Sequence, residues 1–140
     1  MNMQDIVTYT IESDINAIPR VSLVLDQAMR ANGFTEEEIL DTQLAVEEAI
    51  TNVIVHGYAK SPGTIVITCR TTIKGLAEIQ IEDTAPPFNP LTIPEPDITV
   101  AIEERKIGGL GIFLIRQVMD DITYRYENGK NILVLVKKRG

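Results

Sequence analysis

The chain has 140 residues, 44% of them hydrophobic, with a formal net charge of −7. That length fits one domain with a real core, and no low-complexity tract points to disorder. The acidic balance argues against unspecific nucleic-acid binding, which needs a basic surface for counterion release, and leaves a basic protein partner open. The single cysteine, Cys69, rules out an intrachain disulfide and a cysteine-based zinc cluster, and it fits a reducing compartment. The start of the chain carries Asp5 and no basic-then-apolar run, and no apolar stretch is long enough to cross a bilayer. The expectation is one cytoplasmic domain over residues 1–140, with no membrane and no direct nucleic-acid contact.

In chain order, Ile6 to Ile11 alternates β-branched and aromatic residues with threonines and reads as a strand. Ser13-Asp14 can cap a helix from about Asn16 to Asn32, with Pro19 in its first turn and Ile18, Val21, Leu25 and Met29 at helical spacing. Gly33 ends it. Thr35 followed by three glutamates is a strong helix start, and this second helix is expected to run to about Val55, with Gly57 as its stop. Ala59 to Gly63 is turn chemistry. Thr64 to about Thr72 and Leu76 to Glu82 form a hairpin around Lys74-Gly75, with Asp83 at its end; Cys69 lies inside a strand as a small packed side chain.

From Thr84 to about Gly108 five prolines exclude regular structure over much of the segment, apart from a possible short helix at Ile98 to Glu104. A loop this long in a small domain is usually a lid or an insert. Gly108-Gly109-Leu110-Gly111 then opens a helix to about Met119, and two strands, Ile122 to Tyr126 and Ile132 to Val136, close around Asn128-Gly129. The order β-α-α-β-β-lid-α-β-β gives an α+β fold: a two-layer sandwich with helices on one face of a mixed, mainly antiparallel sheet.

Three features carry chemistry. Residues four apart on a helix differ by only about 40° around its axis, so Glu48, Asn52 and His56 form one polar row, opposite Val46, Ala49, Ile50, Val53 and Ile54. A carboxylate one turn from a carboxamide can activate a hydroxyl above a hard cation, though an ordinary amphipathic helix accounts for the same spacing. Asp83 ends a strand before irregular chain, as a binding residue or a turn cap, and Phe88 anchors the proline-rich loop as a ligand contact or a core plug. The glycines at 108, 109 and 111 sit where bare N–H groups and the helix dipole favour a phosphate, or where a hinge is needed.

Together these resemble the Bergerat ATP-binding fold of gyrases, heat-shock ATPase chaperones, histidine kinases and mismatch-repair ATPases. More closely, Glu48-Ala49-Ile50-Thr51-Asn52 with His56-Gly57-Tyr58 is similar to the N box of the bacterial anti-sigma factor serine kinases. Asp83 to Pro90 is similar to their first glycine box, and Gly108 to Ile112 to their second; the resemblance spans about Ile11 to Lys137. It implies ATP and Mg²⁺ as cofactors, with Asn52 binding the metal, Glu48 as general base for a partner's serine, and Asp83 accepting from the adenine amino group. Gly108, Gly109 and Gly111 would cradle the phosphates, Arg105 or Lys106 would neutralise them, and His56, Ala85, Phe88 and Leu110 join the nucleotide site as members of the boxes. Implied partners are a STAS-type anti-anti-sigma factor, a sigma factor and a second copy of the chain. The alternative is a nucleotide-gated binding switch without kinase activity. Two positions depart from the family. Ala85 replaces a box glycine, and its methyl is expected to restrict approach to the adenine. The family's late-strand threonine is not evident, Asn131 being the nearest polar residue.

Overall fold

The computed structural model describes residues 4–59, 61–92 and 109–140. The expected short helix at Ile98 to Glu104, together with Arg105, Lys106 and Gly108, lies outside them. Five strands form one sheet in the order β1-β2-β3-β5-β4: β1 (Gln4–Glu12), β2 (Thr64–Thr72), β3 (Leu76–Asp83), β4 (Asp121–Glu127) and β5 (Lys130–Lys138). Every described ladder is antiparallel, so the sheet has no parallel member among the described residues. Among the described residues three helices, α1 (Ile18–Arg30), α2 (Glu36–Asn52) and α3 (Gly109–Val118), form the second layer of the α+β sandwich.

The local signals explain the elements. Thr35 and Glu38 close a capping box: the Glu38 N–H donates to Thr35 Oγ1 at 3.2 Å, and the Thr35 N–H donates to Glu38 Oε1 at 2.8 Å. Asn128 and Gly129, at φ 54° and 77°, take the two left-handed positions of a tight hairpin turn, which Asn-Gly does at little strain. Asp14 caps only a short 3₁₀ turn, Ile15–Ala17, and α1 starts behind it with Pro19 in its first turn.

Alternation along the strands puts one side chain in two against the helices. The inner rows run Cys69–Ile79–Leu135 and Ile67–Ile81–Leu133, all buried. Onto them pack Val21, Leu25 and Met29 from α1, Ile39, Val46 and Ile50 from α2, and Ile112 and Ile115 from α3. The next row of the same inner face reads Ile65–Asp83–Asn131. Asp83 and Asn131 thus occupy core positions, 5% exposed each, at the end of the sheet where the hydrophobic rows stop.

The second helix does not run regularly to Val55. It leaves α-geometry at Asn52 and widens into a π turn over Val53–Gly57, where the Tyr58 N–H donates to the Val53 carbonyl, five residues back, at 2.8 Å. Tyr58 pins that turn. Its hydroxyl donates to the Thr64 carbonyl at 2.7 Å and accepts from the Thr84 N–H at 2.9 Å, joining the end of the helix to the start of β2 and the end of β3.

A candidate nucleotide cleft

Where the inner sheet face turns polar, a cleft opens between the end of α2, the loop after β3, the first turns of α3 and the β4–β5 hairpin. Asn52, Asp83, Phe88, Ile112, Tyr124 and Asn131 line it, with Ala49, Val53, Gly57, Ile81, Pro90 and Leu133 as the remainder. The walls are mostly apolar, which suits a flat heterocycle with a few polar groups to orient it.

Asp83 is the polar anchor. Its Oδ1 accepts from the Ala85 N–H and from Asn131 Nδ2, both at 2.9 Å. Among the described residues both donors fall on that one oxygen, which leaves Oδ2 as an acceptor for something in the cleft. Burial pushes the Asp83 carboxyl above its ordinary range, and the two donors pull the other way. Across the cleft Asn52, 6% exposed, has a buried side-chain nitrogen with no hydrogen-bond partner among the described residues. A buried polar atom without a partner is rare in a folded protein, and here it belongs to a side chain that lines the cleft. Its amide can offer an oxygen to a cation and an N–H to a phosphate oxygen, so the residues present fit a metal-bound nucleotide. Among the described residues no group of three His, Cys, Asp or Glu side chains stands ready for a metal. A divalent cation here would have Asn52 as its protein ligand among the described residues and would need the phosphates of a nucleotide to complete its shell.

Of the other residues singled out from sequence, Glu48 lies half-buried one turn before Asn52 and outside the cleft lining. His56 is exposed; its ring stacks on that of Phe88, with centroids 6.3 Å apart and planes at 26°. Phe88 does line the cleft, and the stack joins it to the end of the helix. Gly109, Leu110 and Gly111 form the first turn of α3, and Ile112, just behind them, places that turn at the cleft. The Ala85 methyl does not obstruct the cleft as the sequence implies. Ala85 is 3% exposed, does not line the cleft, and its Cβ lies 3.3 Å from where a Cβ on Gly57 would stand. The methyl fills the space that Gly57 leaves at the end of the helix.

Two residues emerge from the structure. Asn131 is the centre of the polar network and no bystander, and Tyr124, unmarked in the sequence, donates its hydroxyl to Asn131 Oδ1 while its ring lines the cleft. Burial raises the Tyr124 phenol above its usual range. The signal for Asn131 is the alternation Asn131, Leu133, Leu135, which puts a carboxamide on the core face.

The five-stranded antiparallel sheet with its three described helices, and a buried aspartate at a strand end close to the last turn of α2, make up the α+β fold of the Bergerat ATPases. The family model of the histidine kinase-like ATPase domain matches residues 11–137. The chain belongs to that family. It is 35% identical to the anti-sigma F factor of Clostridium acetobutylicum over 111 residues, 75% of this chain and 73% of that protein. It is 28% identical to the serine-protein kinase RsbW of Listeria monocytogenes over 136 residues, 94% of this chain and 87% of the relative. The crystal structure of the RsbU and RsbW domains of Rv1364c from Mycobacterium tuberculosis superposes with a TM-score of 0.69 at 17% identity; the match covers 96% of this chain and 32% of that one, and it shows a common fold.

Proposed function

We propose that this chain is an ATP-dependent serine-protein kinase that also acts as an anti-sigma factor, working in the cytoplasm as a single domain and as a homodimer. The adenine lies in the cleft with its amino group on Asp83 Oδ2, and the phosphates extend toward Asn52 and the first turn of α3. The observation that carries this reading is the unpartnered buried amide of Asn52 facing the same cleft as the one-sided Asp83 carboxylate. Asn52 would hold Mg²⁺, whose charge screens the phosphates against the incoming nucleophile. Glu48, one turn earlier, takes the proton of a serine hydroxyl on a STAS-type anti-anti-sigma factor. The new bond forms between the serine oxygen and the γ-phosphorus, the bond from that phosphorus to the bridging oxygen breaks, and ADP leaves. The names of the relatives support the kinase and anti-sigma roles. Gly108, Gly109, Leu110 and Gly111 with Lys106 or Arg105 complete the phosphate side in this reading, and His56 and Phe88 roof the base. No described helix is long and apolar enough to cross a membrane.

The test is calorimetric titration with ATP and GTP, with and without Mg²⁺, followed by phosphate transfer from labelled ATP to a STAS-domain protein. Wild type binds ATP in a Mg²⁺-dependent way, Asn52→Ala loses that binding, and Glu48→Gln binds but transfers nothing. Binding by wild type with no transfer would leave a nucleotide-gated switch. No binding at all would sink the nucleotide reading.

A further inference from the structure

Asn131 stands directly across the β3–β5 ladder from Asp83, on the inner face of the sheet. Its amide nitrogen donates to Asp83 Oδ1 at 2.9 Å, to the Ala85 carbonyl at 3.0 Å and to the Pro86 carbonyl at 3.2 Å. Its amide oxygen accepts from the Phe88 N–H at 3.1 Å and from the Tyr124 hydroxyl. A carboxamide has two N–H donors and two acceptor lone pairs, so these five contacts use all of it, with one N–H shared. Nothing remains for a ligand. The orientation is also fixed, since exchanging O and N would set an oxygen against three acceptors and a nitrogen against the Phe88 N–H.

The loop explains why such a clamp is needed. Pro86 and Pro87 carry no N–H, so two successive positions after Ala85 have only carbonyls to offer. One side chain satisfies the carbonyls of Ala85 and Pro86 and then receives the next available N–H, that of Phe88.

We propose that Asn131 is the positioning residue of the base site: by holding Asp83 Oδ1 and the Ala85–Phe88 backbone together, it reserves Asp83 Oδ2 for the exocyclic amino group of a purine. The inference rests on the reading of the cleft as an adenine nucleotide site, and it adds that base selection depends on a residue with no bonding capacity left for the base. Without the clamp the buried carboxylate loses a donor and its fixed direction, and Phe88 loses its backbone anchor beneath the stack on His56.

The experiment compares the affinity of ATP with that of inosine triphosphate, which has an oxygen in place of the amino group, by calorimetry in Mg²⁺. Wild type prefers ATP by on the order of 100-fold, the scale for leaving a buried acceptor unpaired or opposed. Asp83→Asn abolishes the preference. In Asn131→Ala the ATP preference collapses to a few-fold, over and above any loss that both nucleotides share through Phe88. Asn131→Asp supplies a second readout: its carboxyl must carry a proton to donate to Asp83, so its ATP preference returns as the pH is lowered from 8 to 5.5. The titratable groups facing it are Asp83 and Tyr124, with His56 behind Phe88; wild type contains all three and sets the baseline. If wild type and Asp83→Asn behave as stated but Asn131→Ala keeps the full preference, or weakens both nucleotides equally, the positioning role is overturned and the adenine reading stands. If wild type does not distinguish the two nucleotides, the adenine reading falls and the inference with it.

Discussion

Gly57 and Ala85 form a steric pair whose coupling can be measured. A Cβ added at Gly57 would stand 3.3 Å from the Ala85 Cβ and 3.7 Å from Val53 Cγ1. Carbon atoms in contact prefer about 3.5–4.0 Å, so Gly57→Ala needs a shift of a few tenths of an ångström against a buried loop. Overpacking by one methyl at such a place costs about 1–1.5 kcal/mol. Against this, Gly57 is not among the positive-φ residues, so alanine suits its backbone and returns about 0.5–1 kcal/mol of chain entropy. The net expectation is a loss of about 0.5 kcal/mol in wild type. In an Ala85→Gly background the clash is gone and the same substitution should stabilise by about 0.5–1 kcal/mol, reversing sign. Urea unfolding of the four proteins, read as midpoint shifts at constant slope, measures this directly. Ala85→Gly alone loses a buried methyl and stiffens nothing, a loss of about 1.5 kcal/mol, or roughly 3–5 °C in Tm. Because Ala85 is buried and does not line the cleft, that variant should keep wild-type ATP affinity. An effect of Gly57→Ala that is the same in both backgrounds, or a tenfold gain in ATP affinity (about 1.4 kcal/mol) on removing the methyl, would refute the argument.

Asn52→Ala should lose nucleotide binding without losing stability, because it removes a buried donor that has no partner among the described residues; thermal melting should give a Tm equal to wild type or up to about 3 °C above it, equivalent to about 1 kcal/mol. Asp83→Asn keeps an acceptor for Ala85 and Asn131 and removes a buried charge. The folded Asp83 pKa lies above its unfolded value, so its contribution is fully present below the unfolded pKa and is lost as pH rises through the folded one. The variant should therefore be more stable than wild type at pH 8, with the gap closing as pH falls into the carboxylate range in melts from pH 8 to 4. The Cys69 thiol, buried and pushed up to about 11 by desolvation, should resist a thiol reagent at pH 8 until the chain is unfolded in urea.

Much of this was legible in the sequence because it was written locally. The capping box at Thr35, the Asn-Gly hairpin, the β-branched run of β2 and the alternation in β3 each act within a few residues, where propensity and periodicity hold. Asn52 and Asp83 were legible through motif order, and the structure brings both to one cleft. What stayed hidden depends on contacts distant in the chain. Asn131 meets Asp83 across 48 residues, and Tyr124 shows its role only once β4 is placed beside β5. The neighbour that accommodates the Ala85 methyl sits 28 positions earlier, so a substitution judged by its own box looks harmful when its space is provided elsewhere. The end of the second helix stayed hidden for another reason: a π turn obeys no 3.6-residue period, and nothing in Val53-Ile54-Val55 announces one.

That π turn has an implication for how such chains can diverge. A single π turn is what one surplus residue makes of a helix, and here both of its neighbours are committed. Gly57 must land beside Ala85, and Tyr58 must reach Thr64 and Thr84. Deleting one residue between Asn52 and Tyr58 would restore a regular helix and swing Tyr58 away from both, while inserting one would do the same in the other direction. The segment is therefore free to vary in side chains and fixed in length. Relatives that keep the tyrosine should differ from this chain here by substitution and never by a gap.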